Sequence, residues 1–276
     1  MRGETIAKKP GLRYCRPMPD RHAENNGTGS GEQFGYTPVG KGARQGLVNQ
    51  VFSRVASRYD LMNDLMSGGL HRLWKDDMIA WLAPPKAANS YHLVDVAGGT
   101  GDITHRFLKS AGPGASCTLC DISAEMLGVA QQRFKGMPAE QLKIVLGNAQ
   151  ALPLPDNCAD ACTIAFGIRN VTHIERALVE AFRVLKPGGR FLCLEFSHVN
   201  VPMLDTIYEQ YSLKAIPALG GIVAGDRDSY QYLVESIRDF PDQDAFATMV
   251  GDAGFEQVRY RNLTGGIAAL HSGWKL

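Results

Sequence analysis

The chain has 276 residues, 45% of them apolar, enough for one sizeable α/β core with additions. Its net charge of +1 gives no global bias toward nucleic acid or membranes, and no run approaches the ~20 apolar residues of a membrane span. The charge is uneven, with ten Lys/Arg against four Asp/Glu in residues 1–58, which reads as a solvated basic tail.

Residues 1–40 are rich in Gly, Pro, Asn and charge, and are expected to be a disordered extension. Glu4, Asp20 and the lack of an apolar stretch make this neither a signal peptide nor a good transit peptide. Residues 41–276 read as one domain. In its helical first section, 41–85, Leu47, Val48, Val51, Phe52, Val55 and Tyr59 recur at helical spacing. A further helix over His71–Leu82 stops at Pro84-Pro85. Such a section either covers a ligand cleft or packs into the core. His71 reads as a surface or N-cap residue.

Tyr91–Asp102, Y-H-L-V-D-V-A-G-G-T-G-D, is a β-rich run, a glycine-rich loop and a helix start. Strands and helices then alternate. Strands are expected at Ser116–Cys120, Lys143–Leu146, Ala161–Phe166 and Arg190–Phe196, with helices after Ser123, over Ile174–Leu185, Ser229–Arg238 and Asp242–Asp252. Lys186-Pro187-Gly188-Gly189 reads as a turn, and 201–225 as an insertion rich in apolar residues. Two runs flanking Thr264-Gly265-Gly266 close the chain as a hairpin. The pattern is that of an α/β fold with a parallel sheet, helices on both faces and an antiparallel end.

Six cysteines are present. Cys117 and Cys120 form a C-x-x-C inside a strand, where a separation of three puts them on opposite faces. No Cys/His pair follows at finger spacing, so reduced, mostly buried thiols of an intracellular protein and no metal site are expected.

The loop is a poor dinucleotide fingerprint. The third glycine of G-x-G-x-x-G falls on Thr104, and Asp102 sets a carboxylate where a pyrophosphate would lie. A nucleoside ligand without phosphates suits it better. Gly98, Gly99 and Gly101 allow close backbone approach, and Asp95 and Asp102 add negative charge suited to the sulfonium and ammonium of S-adenosylmethionine. Asp121, at the end of the second strand, is placed either to accept ribose hydroxyls or as an N-terminal helix charge. Asn148, after the third, is placed to bond adenine.

From about Glu32 to Leu276 the chain resembles the ubiquinone/menaquinone biosynthesis C-methyltransferases. The resemblance rests on Tyr59-Asp60-Leu61-Met62-Asn63-Asp64-Leu65-Met66-Ser67 with His71-Arg72-Leu73-Trp74-Lys75, on Asp95–Asp102, and on Phe166-Gly167-Ile168-Arg169-Asn170-Val171. Arg183–Arg190, Leu194-Glu195-Phe196-Ser197, Asp228-Ser229-Tyr230, Pro241-Asp242-Gln243, Ala253-Gly254-Phe255 and Asn262–Gly266 extend it. The resemblance implies a class I S-adenosylmethionine-dependent methyltransferase fold, Rossmann-like, with a mostly parallel seven-stranded sheet and a C-terminal antiparallel hairpin. It implies C-methylation of a 2-polyprenyl-6-methoxy-1,4-benzoquinol, of demethylmenaquinol, or of both. The family's cofactor positions fall on Thr100, Asp121, Asn148 and Ala149, and on Ala165 where the family commonly has serine.

Arg169 follows the fourth strand, on the side expected to face the transferring methyl. A guanidinium is a poor base, so Arg169 is expected to stabilise a developing quinolate or orient a water, with Asn170 holding it. Tyr59 and Asp60 are candidates for substrate contact or proton acceptance, and core packing explains Tyr59 equally well. A polyprenylated quinol partner implies transient or peripheral contact with a membrane, for which 201–225 is the candidate grip. The expected location is cytoplasmic, peripheral on an inner membrane, with a homodimer or a quinone-synthesis complex left open. Competing readings are a methyltransferase for another small molecule, a non-catalytic S-adenosylmethionine-binding subunit, and a nicotinamide-dependent oxidoreductase.

Overall fold

Strand β3 (Tyr91–Val96) is the axis of the computed structural model, which describes residues 32–40, 42–55, 63–64, 67–199 and 227–276. Its side chains alternate between two cores, as a strand covered on both faces must. Leu93 enters one, and Val94 and Val96 enter the other. β4 (Ala115–Asp121) pairs with it in parallel on one edge and β6 (Ala159–Ala165) on the other.

The sheet has seven strands in the order β5-β4-β3-β6-β7-β9-β8. β5 (Leu142–Leu146) and β7 (Leu185–Phe196) extend the parallel set. β9 (Ala268–Trp274) lies antiparallel between β7 and β8 (Glu256–Leu263). The expected hairpin is therefore present, with its second strand inserted inside the sheet. Its connection places Thr264, Gly265 and Gly266 at φ 48°, 68° and 97°. The strand order reverses between β3 and β6, and ligand clefts in open α/β sheets open outside the carboxyl ends at such a point.

One face carries α2 (His71–Leu82) and α3 (Asp102–Ser110), whose Trp74, Met78, Leu82 and Phe107 pack with Leu93, Leu119 and Phe196. The other carries α5 (Ile174–Val184) and α7 (Gln243–Asp252), whose Leu178, Phe246 and Val250 pack with Val94, Ile164 and Phe191. α4 (Ala124–Arg133) follows β4, and Ser123 caps it by accepting from the Met126 N–H at 3.2 Å, as expected. Cys117 lies in the first core and Cys120 in the second, both as free thiols. Burial pushes Cys120 up to about 12, with Asp121 and Asp95 adding to the shift.

Three expectations are corrected. The extension expected to be disordered through residue 40 ends instead in a hairpin of β1 (Glu32–Phe34) and β2 (Thr37–Val39). Phe34 stacks on Tyr232 with ring centroids 4.2 Å apart, a long-range contact that local composition does not encode. Lys186–Gly189 is drawn into the start of β7 rather than standing apart as a turn. The Gly188 N–H donates to the Lys275 carbonyl at 2.6 Å, and the Lys275 N–H to Gly189 at 3.0 Å. His71 is buried, with its N–H accepted by Ser67 Oγ and its Nε2 3.0 Å from Asp64 Oδ1. No helix among the described residues is long and apolar enough to cross a membrane. The insertion 201–225 lies outside the described residues.

Candidate active site

A cleft of about 660 Å³, its open mouth included, lies at the carboxyl ends of β3, β4, β5 and β6. Its floor is the loop after β3. The Gly98 N–H donates to the Cys120 carbonyl at 3.2 Å, and the Gly101 N–H donates back to Gly98 at 2.9 Å. Gly101 sits at φ 82°, and a Cβ there would lie 2.5 Å from Phe134 and 2.9 Å from Leu119, so only glycine lets α3 start so close to the sheet. Ala97 and Phe166, the residues after β3 and β6, adopt φ 51° and 57° without being glycine. Both line the cleft, and backbone held in this region is paid for by the packing around it. Gly167 fits between them, because a Cβ there would be 2.6 Å from the Ala97 Cβ.

Asp121 ends β4 and faces the cleft. Its Oδ2 accepts the Gly99 N–H at 2.8 Å and its Oδ1 the Ser123 N–H at 2.8 Å. Each oxygen keeps a lone pair for a further donor. Burial raises its pKa despite these bonds. A carboxylate fixed by two backbone donors is therefore presented as a two-pronged acceptor, which suits a vicinal diol.

Asn148 follows β5 in an Asx turn, its Oδ1 accepting the Gln150 N–H at 2.9 Å and Gln150 Nε2 at 3.3 Å. With Oδ1 occupied, the amide offers a ligand its Nδ2 donors. Ala149 lines the cleft beside it, as do the apolar Ile122 and Met126. The slot thus has apolar faces and a polar edge, the recognition chemistry of a heteroaromatic base.

Two acids expected to lend charge to the loop do other work. Asp95 does not line the cleft. It is fully buried beneath the loop, where Oδ2 accepts the Thr104 N–H (3.2 Å) and hydroxyl (2.8 Å) and Oδ1 accepts the Thr163 hydroxyl at 3.0 Å. Desolvation pushes its carboxyl up to about 6 against those bonds. Asp102 accepts from Lys75 Nζ at 2.8 Å and lies 3.3 Å from Arg106 Nε. Burial disfavours its charge, but these cations outweigh that and hold its pKa below the usual range. Its charge is neutralised by side chains of the protein, so Asp102 lends the loop no free negative charge, contrary to expectation.

The other wall is the turn after β6, a single 3₁₀ turn over Ile168–Asn170. Asn170 and Val171 line the cleft there. The Arg169 side chain is wholly buried and points into the protein beside β7. Its Nη1 donates to Glu195 Oε1 at 2.5 Å and to the Phe166 carbonyl at 2.9 Å, and its guanidinium lies 5.4 Å from the Phe196 ring centroid. Burial raises the Glu195 carboxyl while Arg169 opposes it. Nε and Nη2 have no partner among the described residues. Two buried donors left unmet cost about 1–3 kcal/mol each. Tyr232 donates to Asn170 Oδ1 at 3.2 Å, and burial raises its hydroxyl's pKa.

Helix α1 (Ala43–Val55) closes the cleft from above with Gln45 and Val48. Arg44 ties it down, donating to the carbonyls of Val171 at 2.9 Å and Arg169 at 3.2 Å. The helical section thus does both things left open by the sequence, with α1 covering the cleft and α2 packing the core.

A family model described as the ubiE/COQ5 methyltransferase family matches residues 40–275. The chain belongs to this family. The ubiquinone/menaquinone biosynthesis C-methyltransferase UbiE of Brucella abortus (strain S19) is 58% identical over 250 residues, 90% of this chain and 92% of that one. That of Brucella anthropi is 58% identical over the same length, covering 94% of its own chain. Among solved structures, a SAM-dependent methyltransferase from Aquifex aeolicus matches with a TM-score of 0.56 at 16% identity, over 78% of this chain and 97% of that one. Haemonchus contortus phosphoethanolamine N-methyltransferase 2 matches at 0.59 and 14% identity, over 87% and 62%. At such identities these two concern the fold alone, which is the class I, Rossmann-like methyltransferase fold. The protein is an S-adenosylmethionine-dependent methyltransferase.

Of the expected site residues, this methyltransferase brings Gly99, Asp121, Asn148, Ala149 and Asn170 to one cleft. Gly98, Thr100 and Gly101 shape the loop below, and Ala165 ends β6 without lining the cleft. Tyr59 and Asp60 lie outside the described residues. Sequence reading missed Gln45, Val48, Ala97, Ile122, Met126 and Phe166. Only Ile122 carried a local signal, an apolar residue directly after the acid that ends the second strand of the alternating pattern.

Proposed function

We propose that this methyltransferase transfers a methyl group from S-adenosylmethionine to a ring carbon of a polyprenylated quinol, a 2-polyprenyl-6-methoxy-1,4-benzoquinol, demethylmenaquinol or both. The observation that carries the reading is the two-pronged Asp121 with Asn148 in one cleft whose other wall is formed by Asn170 and Val171, with the Arg169 side chain buried behind that wall. The donor set fits the cofactor. Asp121 would hold the ribose hydroxyls, Asn148 and Ala149 the base edge, Ile122 and Met126 its faces, and the backbone of the Gly98–Gly101 loop the amino-acid portion. Bound there, S-adenosylmethionine supplies a methyl group activated on a sulfonium.

The chain's own residues then have three tasks. Arg169 and Asn170 hold the acceptor ring and its oxygen. Because Arg169 and Glu195 form a pair of no net charge, Arg169 acts through directed N–H donors rather than as a free cation, stabilising the quinolate that makes the ring carbon nucleophilic. Gln45 and Val48 on α1, tied by Arg44, exclude water above the reacting centre. Tyr59 or Asp60 takes the hydroxyl proton, directly or through a water, as the quinolate forms. The ring carbon then takes the methyl group with release of S-adenosylhomocysteine, and the ring proton passes to the ring oxygen as the aromatic quinol is restored.

The isoprenoid tail requires contact with a membrane surface, and the apolar insertion, with Met203, Leu204, Ile207, Tyr208 and Ile222, is the proposed grip. Sedimentation with liposomes should fall when 201–225 is removed, and unchanged sedimentation would refute the grip. The activity is tested by methyl transfer from labelled S-adenosylmethionine to each demethylated quinol and to unrelated phenols. Label on the quinol ring carbon, absent with Asp121→Ala, is expected. Tight cofactor binding with no transfer to any acceptor would instead mark a non-catalytic binding subunit.

A further inference from the structure

Phe34, on the N-terminal hairpin, is half-buried, and its ring lies flat on that of Tyr232 in α6 (Arg227–Arg238), the two planes 7° from parallel. The next two residues of the hairpin meet the same helix one turn further on. The Tyr36 N–H donates to Glu235 Oε2 at 3.0 Å, and Gly35, at φ 56°, leaves room for that carboxylate, which a Cβ would crowd at 2.0 Å. Tyr232 and Glu235 are three apart and so share one face of α6. A pair of three-residue strands is too small to hold itself together in water, so this docking is what orders the hairpin.

Tyr232 is 2% exposed, and its hydroxyl donates to Asn170 Oδ1, the side chain that lines the cleft. Three side chains in contact thus run from the hairpin, through α6, to the wall of the cleft. The same N-terminal segment reaches that wall by a second route. β2 ends a few residues before α1, with the Gly40 carbonyl accepting the Ala43 N–H at 2.9 Å, and Arg44 of α1 bonds the carbonyls of Arg169 and Val171. Three consecutive wall residues, Arg169, Asn170 and Val171, are therefore each bonded to α1 or α6, and the hairpin joins those two helices. Burial alone would be met by an aliphatic residue at position 34. A near-parallel stack also fixes the plane of the Tyr232 ring, and with it the line of the hydroxyl.

We infer that Phe34 is a positioning residue: stacked on Tyr232, it holds the hydroxyl that orients Asn170 in the wall of the cleft. The inference rests on the acceptor-side role given to Asn170 above. Phe34 does not itself line the cleft and acts only through Tyr232.

The test is a double-mutant cycle on the full chain, read as kcat with a quinol acceptor and as cofactor Kd by titration, with urea melts to show that each variant is folded. Phe34→Leu keeps an apolar side chain but loses the stack. It is expected to lower kcat about two- to tenfold, the range for losing one hydrogen bond to Asn170, while cofactor Kd stays within about twofold. Phe34→Tyr keeps the stack and should stay within about twofold of wild type. In a Tyr232→Phe background, where the ring remains but the hydroxyl is gone, Phe34→Leu should cost less than about twofold. Should Phe34→Leu not fold, Phe34→Met carries the same cycle. Equal losses in both backgrounds would overturn the inference, as would a folded Phe34→Leu enzyme with unchanged kcat or a Phe34→Tyr enzyme as slow as Phe34→Leu. The NMR signals of the Asn170 side-chain amide give a second readout, expected to move in Phe34→Leu and to hold in Phe34→Tyr. If no quinol is methylated, the function proposed above fails, and those signals still decide the positioning. If Asn170→Ala alone turns over normally, the acceptor-side reading of Asn170 fails and this inference falls with it.

Discussion

The two ends of the cleft are built by different means. At the cofactor end, anchoring bonds come from backbone N–H groups close in sequence. Ser123 is two residues from Asp121 and Gln150 two from Asn148, and only Gly99 reaches across a strand pair. At the end proposed for the acceptor the bonds join side chains to distant partners. Arg169 meets Glu195 across 26 residues, Asn170 meets Tyr232 across 62, and Arg44 meets Arg169 across 125. A site of backbone donors on tight turns is made by local chain geometry and tolerates change elsewhere. A site of paired side chains exists only once β7, α1 and α6 (Arg227–Arg238) have all packed.

Separate construction implies separable function, and the largest expected effect tests that. Arg169→Ala should lower kcat about 10²- to 10³-fold, the usual loss for a donor aimed at developing negative charge. Arg169→Lys should recover little of it, since an ammonium keeps the charge beside Glu195 but has no fork. Steady-state turnover at saturating cofactor checks both. At the other end, Asp121→Ala should weaken cofactor binding about 10- to 100-fold, the loss of a two-pronged acceptor, as measured by titration calorimetry. Turnover at saturating cofactor should fall much less than with Arg169→Ala.

The same contrast explains what the sequence could tell. The glycine loop, Asp121, Asn148 and the parallel alternation were legible because each is a short-range pattern: a strand end followed by a turn that only certain residues allow. The hairpin at residues 32–39 was not, because Phe34 is ordered by Tyr232, far along the chain. Nor were the fates of Asp95 and Asp102, which read alike as acids beside a loop. Thr104 and Thr163 bury one beneath the floor, and Lys75 neutralises the other from α2. Arg169 reads from position and resemblance as facing the cleft, and its burial against Glu195 behind the cleft wall was not legible. Glu195 sits in a strand of apolar neighbours, where an isolated acid carries no mark of what it faces.

Asp95 gives a smaller effect with a pH signature. Its folded pKa of about 6 lies above the ordinary 3.8, so the fold favours the protonated form. That contribution is fully present below about pH 3.8 and is lost as pH rises through about 6. Asp95→Asn keeps an acceptor for Thr104 and a donor for Thr163 but cannot ionise. The wild type should therefore lose about 1–3 kcal/mol relative to the variant between these pH values, read from urea melts at several pH values. A constant difference across that range would mean that Asp95 is ionised or neutral throughout.

The smallest effect belongs to Tyr232→Phe, which removes one hydrogen bond to Asn170. About 0.5–1.5 kcal/mol is at stake, and it should appear as a fall in kcat of about two- to tenfold with cofactor Kd unchanged. A change in cofactor Kd instead would mean that Asn170 serves the wrong end of the cleft.

The account stands most directly on the cofactor Kd of the Arg169→Ala protein, measured by calorimetry on a preparation shown to be folded. It predicts a value within about threefold of wild type, because the groups assigned to the cofactor are held without Arg169. A weakening of tenfold or more would contradict the division of the cleft into two independently built ends.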